Sequence, residues 1–331
     1  MTDHPKKPWM KWGMHLLTLF FVLLVPTLLY LLAKNLDWNE VQQSLRAYGA
    51  VTLLVGAALA FSSYLVFSIF DLVARVYTGH HLPARQVIPV AFVCYAFNLN
   101  FTTWVGGVAL RYRLYKRLGL DTGTVTRIIS LGILTNWIGY MALAGVVFSL
   151  RLVKLPENWN LGVTGLQMIG FLLLAVATLY LFACGYAKRR TWSWRDHEIT
   201  LPSLRLALIQ IWLGATNWAL MASLIFWLLP HGHGTYYASI LGILLISCVA
   251  GVITHIPAGL GVLETVFLAL LHDQMSQGSL VAALLGYRTL YFLLPLLVAV
   301  VVYLVLEKRA KTIRRRHKHR VKPESRKSST G

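Results

Sequence analysis

The stretch ASILGILLISCVAGVITHIPAGLGVLETVFLALL, residues 238–271, decides the fold. It is apolar almost throughout, yet too long for one crossing of a hydrocarbon core about 30 Å thick at about 1.5 Å per helical residue. It also breaks at His255-Ile-Pro257-Ala-Gly259-Leu-Gly261, where proline removes a backbone donor and two glycines loosen the helix. Such a break is tolerated at membrane depth only where protein covers the backbone or a cavity is lined by it. The stretch is therefore expected to enter the membrane, turn and leave on the side it came from.

Val87–Val108 behaves similarly, being apolar at both ends but carrying Asn98, Asn100, Thr102, Thr103 and the pair Gly106-Gly107 in its second half. Around these two stretches, hydropathy predicts six full spans at about 14–33, 51–73, 128–150, 165–186, 206–230 and 280–306. The run 14–33 is too long for a signal-peptide core and no small-x-small site follows it before Lys34, so it reads as a retained span. The composition agrees: 57% of residues are hydrophobic and 13% charged, with a mean hydropathy of +0.61, whereas soluble domains carry about 25% charge.

The basic residues choose the topology, because cytoplasmic loops collect Lys and Arg. With both broken stretches returning to their own side, 26 of the 31 basic residues lie in the cytoplasm, four outside, and Arg288 inside a span. Letting Val87–Val108 cross would invert everything after it and leave seven inside against 23 outside. The expected protein is all-α: six full transmembrane helices plus two re-entrant helical hairpins, with both termini cytoplasmic. Its parts are an N-terminus (1–13), a first membrane half (14–150) with its hairpin at 87–108, a second half (151–306) with its hairpin at 238–271, and a basic tail (307–331). Three crossings per half turn the second half upside down, the inverted repeat of many secondary transporters. Gly106-Gly107 with Arg111 and Gly259/Gly261 with Glu264 are a faint echo of it.

Ionisable groups within the membrane cost at least roughly 2.5 to 3.5 kcal/mol on insertion scales, so Glu264 and Arg288 are singled out, either as a cavity charge pair or as a salt bridge closing two helices. Arg111 and Arg113 follow the glycine pair and suit bidentate capture of a phosphate; the alternative is a positive-inside anchor, preferred for Lys116 and Arg117. Asp71 and Arg75 stand four apart and are expected to pair locally. Asn136 and Asn217, each in a Thr-Asn-Trp triplet deep in a span, either join helices or line a polar path. His255 reads as a polar contact at the break or a proton relay.

Cys94, Cys184 and Cys248 lie in apolar segments at unrelated spacings and read as small buried hydrophobes, and His231-Gly-His233 lacks a third ligand nearby, so no metal or cofactor is expected. Walker, Rossmann, HExxH and nucleophile-elbow motifs are absent, and an enzyme is not expected. The tail after Leu306 holds eleven basic residues against Glu307 and Glu324. It suits an anionic lipid surface and, lacking an aromatic stacking pattern, is not expected to bind nucleic acid.

The segments DLVARVYTGHHLPARQ (71–86), CYAFNLNFTTWVGGVALRYRLYKRLGL (94–120), TNWIGYMALAG (135–145) and HIPAGLGVLETVFLALL (255–271) closely resemble the YbhN family of bacterial inner-membrane proteins. That family is similar in turn to the flippase portion of lysylphosphatidylglycerol synthetases. The resemblance runs from about Trp12 to Lys308. It implies an inner-membrane protein handling phospholipid or another amphipathic lipid, without lysyl transfer, because the synthetases' soluble domain is missing. The expected activity is lipid translocation, with Arg111 and Arg113 recruiting phosphate, Asn98, Asn100, Asn136 and Asn217 lining the path, Glu264 with Arg288 holding or gating it, and His255, Pro257, Gly259 and Gly261 as further substrate-binding candidates. The rivals are a lipid-modifying enzyme within the membrane and a non-catalytic scaffold for lipid enzymes.

Overall fold

The computed structural model describes residues 37–101, 107–153, 162–187, 191–194, 197–230, 236–254, 256, 259–271 and 274–320, without side chains at 191–199 and 309–320. A short helix, α1 (Trp38–Arg46), is capped by the Asp37 carboxylate and precedes α2 (Ala50–Thr78). Then come α3 (Ala84–Asn100), α4 (Leu110–Arg117), α5 (Thr122–Ser149) and α6 (Gly162–Tyr186). A small antiparallel pair, β1 (Thr191–Trp194) and β2 (His197–Thr200), leads into α7 (Leu204–Leu228). The chain closes with α8 (Tyr237–Thr254), α9 (Val262–Leu271), α10 (Gln277–Arg288), a π-helical turn at Thr289–Leu293, and α11 (Leu294–Arg320).

Six helical segments among the described residues are long and apolar enough to cross a membrane: α2, α5, α6, α7, α8 and the continuous run Gln277–Lys308. Five match predicted spans. The sixth, α8, is the first limb of the broken stretch; the predicted first span at 14–33, the N-terminus before it and the tail beyond 320 lie outside the described residues.

The contacts show where each limb goes. Tyr77 at the end of α2 donates to the Thr200 carbonyl, and Arg117 at the end of α4 pairs with Glu307 near the end of the Gln277–Lys308 span. These residues mark one face of the bundle, rich in Lys and Arg. On the opposite face the Tyr48 hydroxyl reaches the Leu228 carbonyl (2.8 Å), Ser239 reaches the Leu152 carbonyl (3.2 Å), and Ser44 meets Ser279 (3.3 Å). Helix α3 starts on the basic face and runs back along α2, with Tyr95 stacked on Phe67 at 3.6 Å. Its partner α4 returns alongside: a Cβ on Gly107 would strike the Asn98 amide, and Arg111 lies by Cys94. Both ends of this hairpin thus sit on the basic face. Helices α8 and α9 mirror it, starting at Tyr237 and ending at Leu271 on the opposite face, where Leu268 packs with Val41 and Val281. The first hairpin is longer than its predicted 87–108, because the charged run Leu110–Arg117 is its return limb.

Exchanging α2 with α7, α3 with α8, α4 with α9, and α5 with the run from α10 to α11 maps packed pairs onto packed pairs. Helix pair α2–α3 becomes α7–α8, α4–α5 becomes α9–α10, and α5–α8 becomes α3–α11. Because the hairpins start from opposite faces, the exchange inverts the halves, as charge alone suggested.

Helices α5 and α7 cross where Gly139 and Gly214 lie backbone to backbone. Small residues permit such an approach in a membrane, where packing rather than water exclusion joins helices. Flanking the crossing, Gln210 donates to the Thr135 hydroxyl (2.9 Å) and accepts from Tyr180 (2.7 Å), and the Trp218 indole donates to the Asn136 carbonyl (3.4 Å). The two Thr-Asn-Trp triplets thus meet at one joint.

Candidate functional site

The hairpin breaks gather on one short run, Tyr287–Phe292. The break in the second hairpin is held from Arg288. Gly259 and Gly261 adopt φ of 57° and 80°, a left-handed backbone open to glycine but strained for side chains with a Cβ. That turn aims the Gly261 N–H at Glu264 Oε2 (2.9 Å) and starts α9 with a carboxylate in its first turn, where the helix dipole favours negative charge. Arg288 Nε then donates to Glu264 Oε1 (2.5 Å), while its Nη2 donates to Glu264 Oε2 (3.2 Å) and to the Gly259 carbonyl (3.0 Å). The guanidinium lies over the Phe292 ring at 5.3 Å. The two predicted intramembrane ions therefore form a pair, which also ties down the broken backbone.

One turn further, the π-helical turn binds the first hairpin. Asn217 Nδ2 donates to the Tyr95 hydroxyl (3.4 Å), Tyr95 meets the Tyr291 hydroxyl (2.8 Å), Tyr291 meets Ser63 (2.7 Å), and Ser63 donates to Asn217 Oδ1 (2.8 Å). Since Ser63 spends its proton on Asn217, Tyr291 donates to Ser63 and Tyr95 to Tyr291. The four groups form a closed ring with every bond running the same way, an arrangement in which hydrogen bonds polarise one another. Nearby, Tyr64 donates to the Tyr291 carbonyl (3.0 Å) and Asn100 to the Phe292 carbonyl (3.2 Å). The ring joins α2, α3, α7 and the π turn in the buried core.

Arg111 is a correction. Instead of facing a phosphate it is buried, donating to both Asp71 oxygens (3.0 and 3.3 Å), while Tyr115 adds a third bond to Asp71 (2.6 Å). The expected Asp71–Arg75 pair gives way to this one, because a bidentate partner forty residues on desolvates together with Asp71. Arg113 does reach the basic face, half-exposed, 3.5 Å from Glu307 and 5.8 Å from the Tyr303 ring. Asn98 abuts Gly107, and its Oδ1 is buried with no hydrogen-bond partner among the described residues. Asn136 enters the α5–α7 joint through its carbonyl rather than the ring. His255 and Pro257 lie outside the described residues. Between α2 and α3, burial and then the nearby Arg75 charge lower the His80 pKa, and its Nδ1 accepts from the Leu82 N–H (3.3 Å).

Sequence reasoning missed Ser63, Tyr95, Tyr287 and Tyr291. The one available signal was the run Tyr287-Arg-Thr-Leu-Tyr291-Phe292, which puts two tyrosines four apart around the sole charge within the last span.

The family model of the lysylphosphatidylglycerol synthase TM region matches residues 16–299. The inner membrane protein YbhN of Escherichia coli (strain K12) is 48% identical over 300 residues, 90% of this chain and 94% of YbhN. The uncharacterised protein slr0712 of Synechocystis sp. is 31% identical over 262 residues, 78% of this chain and 80% of its own.

Proposed function

The chain belongs to the family of the lysylphosphatidylglycerol synthase transmembrane region, and from that premise we propose that it is an inner-membrane lipid translocase. One observation carries the reading: two hairpins started from opposite faces are held to one short run of helix, the second by an ion pair at the edge of the core. Glu264 and Arg288 each keep 12% of their side-chain surface, and Leu260, Leu285 and Thr289 beside them are exposed. Polar groups at the break with an apolar rim suit a headgroup passing inside while acyl chains stay in the bilayer. Opening toward one face and then the other follows from releasing one hairpin at a time from Tyr287–Phe292.

The partners are membrane phospholipids, with an anionic lipid surface for the basic tail. The basic face lies in the cytoplasm on this reading, so a fluorescent reporter fused after Gly331 is expected to fluoresce and a periplasm-dependent phosphatase at the same place to be inactive. The opposite pattern reverses the orientation.

For the activity, purified protein in liposomes is expected to carry acyl-labelled fluorescent phospholipid between leaflets faster than protein-free liposomes, read by dithionite quenching with and without a proton gradient. No movement above the protein-free rate in either condition overturns the proposal.

A further inference from the structure

The Glu264–Arg288 pair has a consequence for which headgroups the site accepts. Its two ions carry one charge of each sign, in a place where net charge is expensive and a paired charge is not. Among the described residues, Arg288 donates to Glu264 and to the Gly259 carbonyl. Glu264 takes two bonds from Arg288 and one from the Gly261 N–H. A ligand that enters by separating them must replace the partner of each, or leave an uncompensated ion in the membrane.

We infer that the Glu264–Arg288 pair selects zwitterionic headgroups, a phosphodiester bearing a cationic amine, over anionic ones. The inference rests on the translocase reading and names the substrate class of that site. The phosphate takes the planar fork of Arg288, whose donors match two phosphate oxygens. The cationic nitrogen takes the place of Arg288 at the Glu264 carboxylate, and where it is a primary ammonium, as in phosphatidylethanolamine, one of its N–H groups also donates to the Gly259 carbonyl that Arg288 gives up. Charge in the site is unchanged by the exchange. An anionic headgroup satisfies Arg288 alone and strands Glu264, a buried carboxylate at the start of α9.

A second observation points to a ligand at the same place. The hydroxyl of Tyr287, a residue 1% exposed, is buried and has no hydrogen-bond partner among the described residues. It lies within electrostatic reach of both Glu264 and Arg288. A buried hydroxyl without a partner costs free energy in the ligand-free protein, and a phosphate held at Arg288 supplies an acceptor.

The full-length chain in liposomes decides the matter, using acyl-labelled phosphatidylethanolamine, phosphatidylcholine and phosphatidylglycerol in separate preparations. The two zwitterionic lipids are expected to move at least about tenfold faster than phosphatidylglycerol, a preference of about 1.4 kcal/mol. Glu264→Gln, which leaves Arg288 without its counter-charge, is expected to reverse the order and favour phosphatidylglycerol. Equal rates for all three lipids in the unaltered protein overturn the selectivity and leave the translocase standing; no movement of any lipid overturns the translocase reading itself. Should Glu264→Gln fail to fold, judged by a lost monodisperse peak in detergent, the rate ratio in the unaltered protein decides alone. A short-chain phosphatidylethanolamine that raises the thermal midpoint no more than short-chain phosphatidylglycerol also counts against the inference.

Discussion

Asp71→Leu is expected to destabilise the protein by about 3–5 kcal/mol, the cost of removing one member of a buried ion pair and leaving the other without counter-charge. Three bonds converge on that carboxylate, two from Arg111 and one from the Tyr115 hydroxyl, and Asp71 is 1% exposed. Without it the guanidinium stays buried between Phe67 and Cys94. Arg111→Met is expected to do comparable harm by stranding Asp71. Combining Asp71→Leu and Arg111→Met with Tyr115→Phe should recover most of the loss, since apolar side chains of similar volume need neither counter-charge nor hydrogen-bond acceptor. Thermal unfolding in detergent, with the amount of protein reaching the membrane, measures all three. Single variants as stable as the parent would show that the pair does not hold the first hairpin to α2.

The other large effect lies at the α5–α7 joint. Gly139→Leu is expected to yield no monodisperse protein, because its first side-chain carbon would already fall on the Gly214 backbone. The contact is reciprocal: a Cβ on Gly214 would meet the Gly139 backbone and the Thr135 carbonyl. No rotamer relieves a clash between backbones, so the helices must separate, taking with them the Gln210–Thr135 and Trp218–Asn136 bonds. Even Gly139→Ala should cost about 1–3 kcal/mol, the usual range for overpacking. Size-exclusion profiles and thermal midpoints of both variants are the test. A Gly139→Leu protein that elutes and melts like the parent would mean the helices do not cross there.

The two ion pairs show how far residue spacing reaches. Glu264 and Arg288 stood out in the sequence because charges within apolar runs are rare, and rare ions in one low-dielectric region seek each other. Their pairing was still open, since a bond across 24 residues depends on α9 and α10 lying side by side. Asp71 had a plausible local partner in Arg75, and the i,i+4 rule favoured it. What won was desolvation: α4 folds Arg111 into the core beside Asp71, where both ions lose water together.

The hydrogen-bond ring was less visible. Asn217 announced itself as an amide in an apolar helix, but Ser63, Tyr95 and Tyr291 are ordinary residues in membrane segments. They lie on three different elements, so no periodicity connects them.

The membrane class and the two interruptions were legible along the chain, because hydropathy, proline and glycine act locally. Only the tertiary structure decided that both hairpins meet at Tyr287–Phe292, that Arg111 is a buried strut and Arg288 the ion at the rim. Partner choice among buried polar groups is set by which helices lie side by side, and that is a property of packing rather than of spacing along the chain.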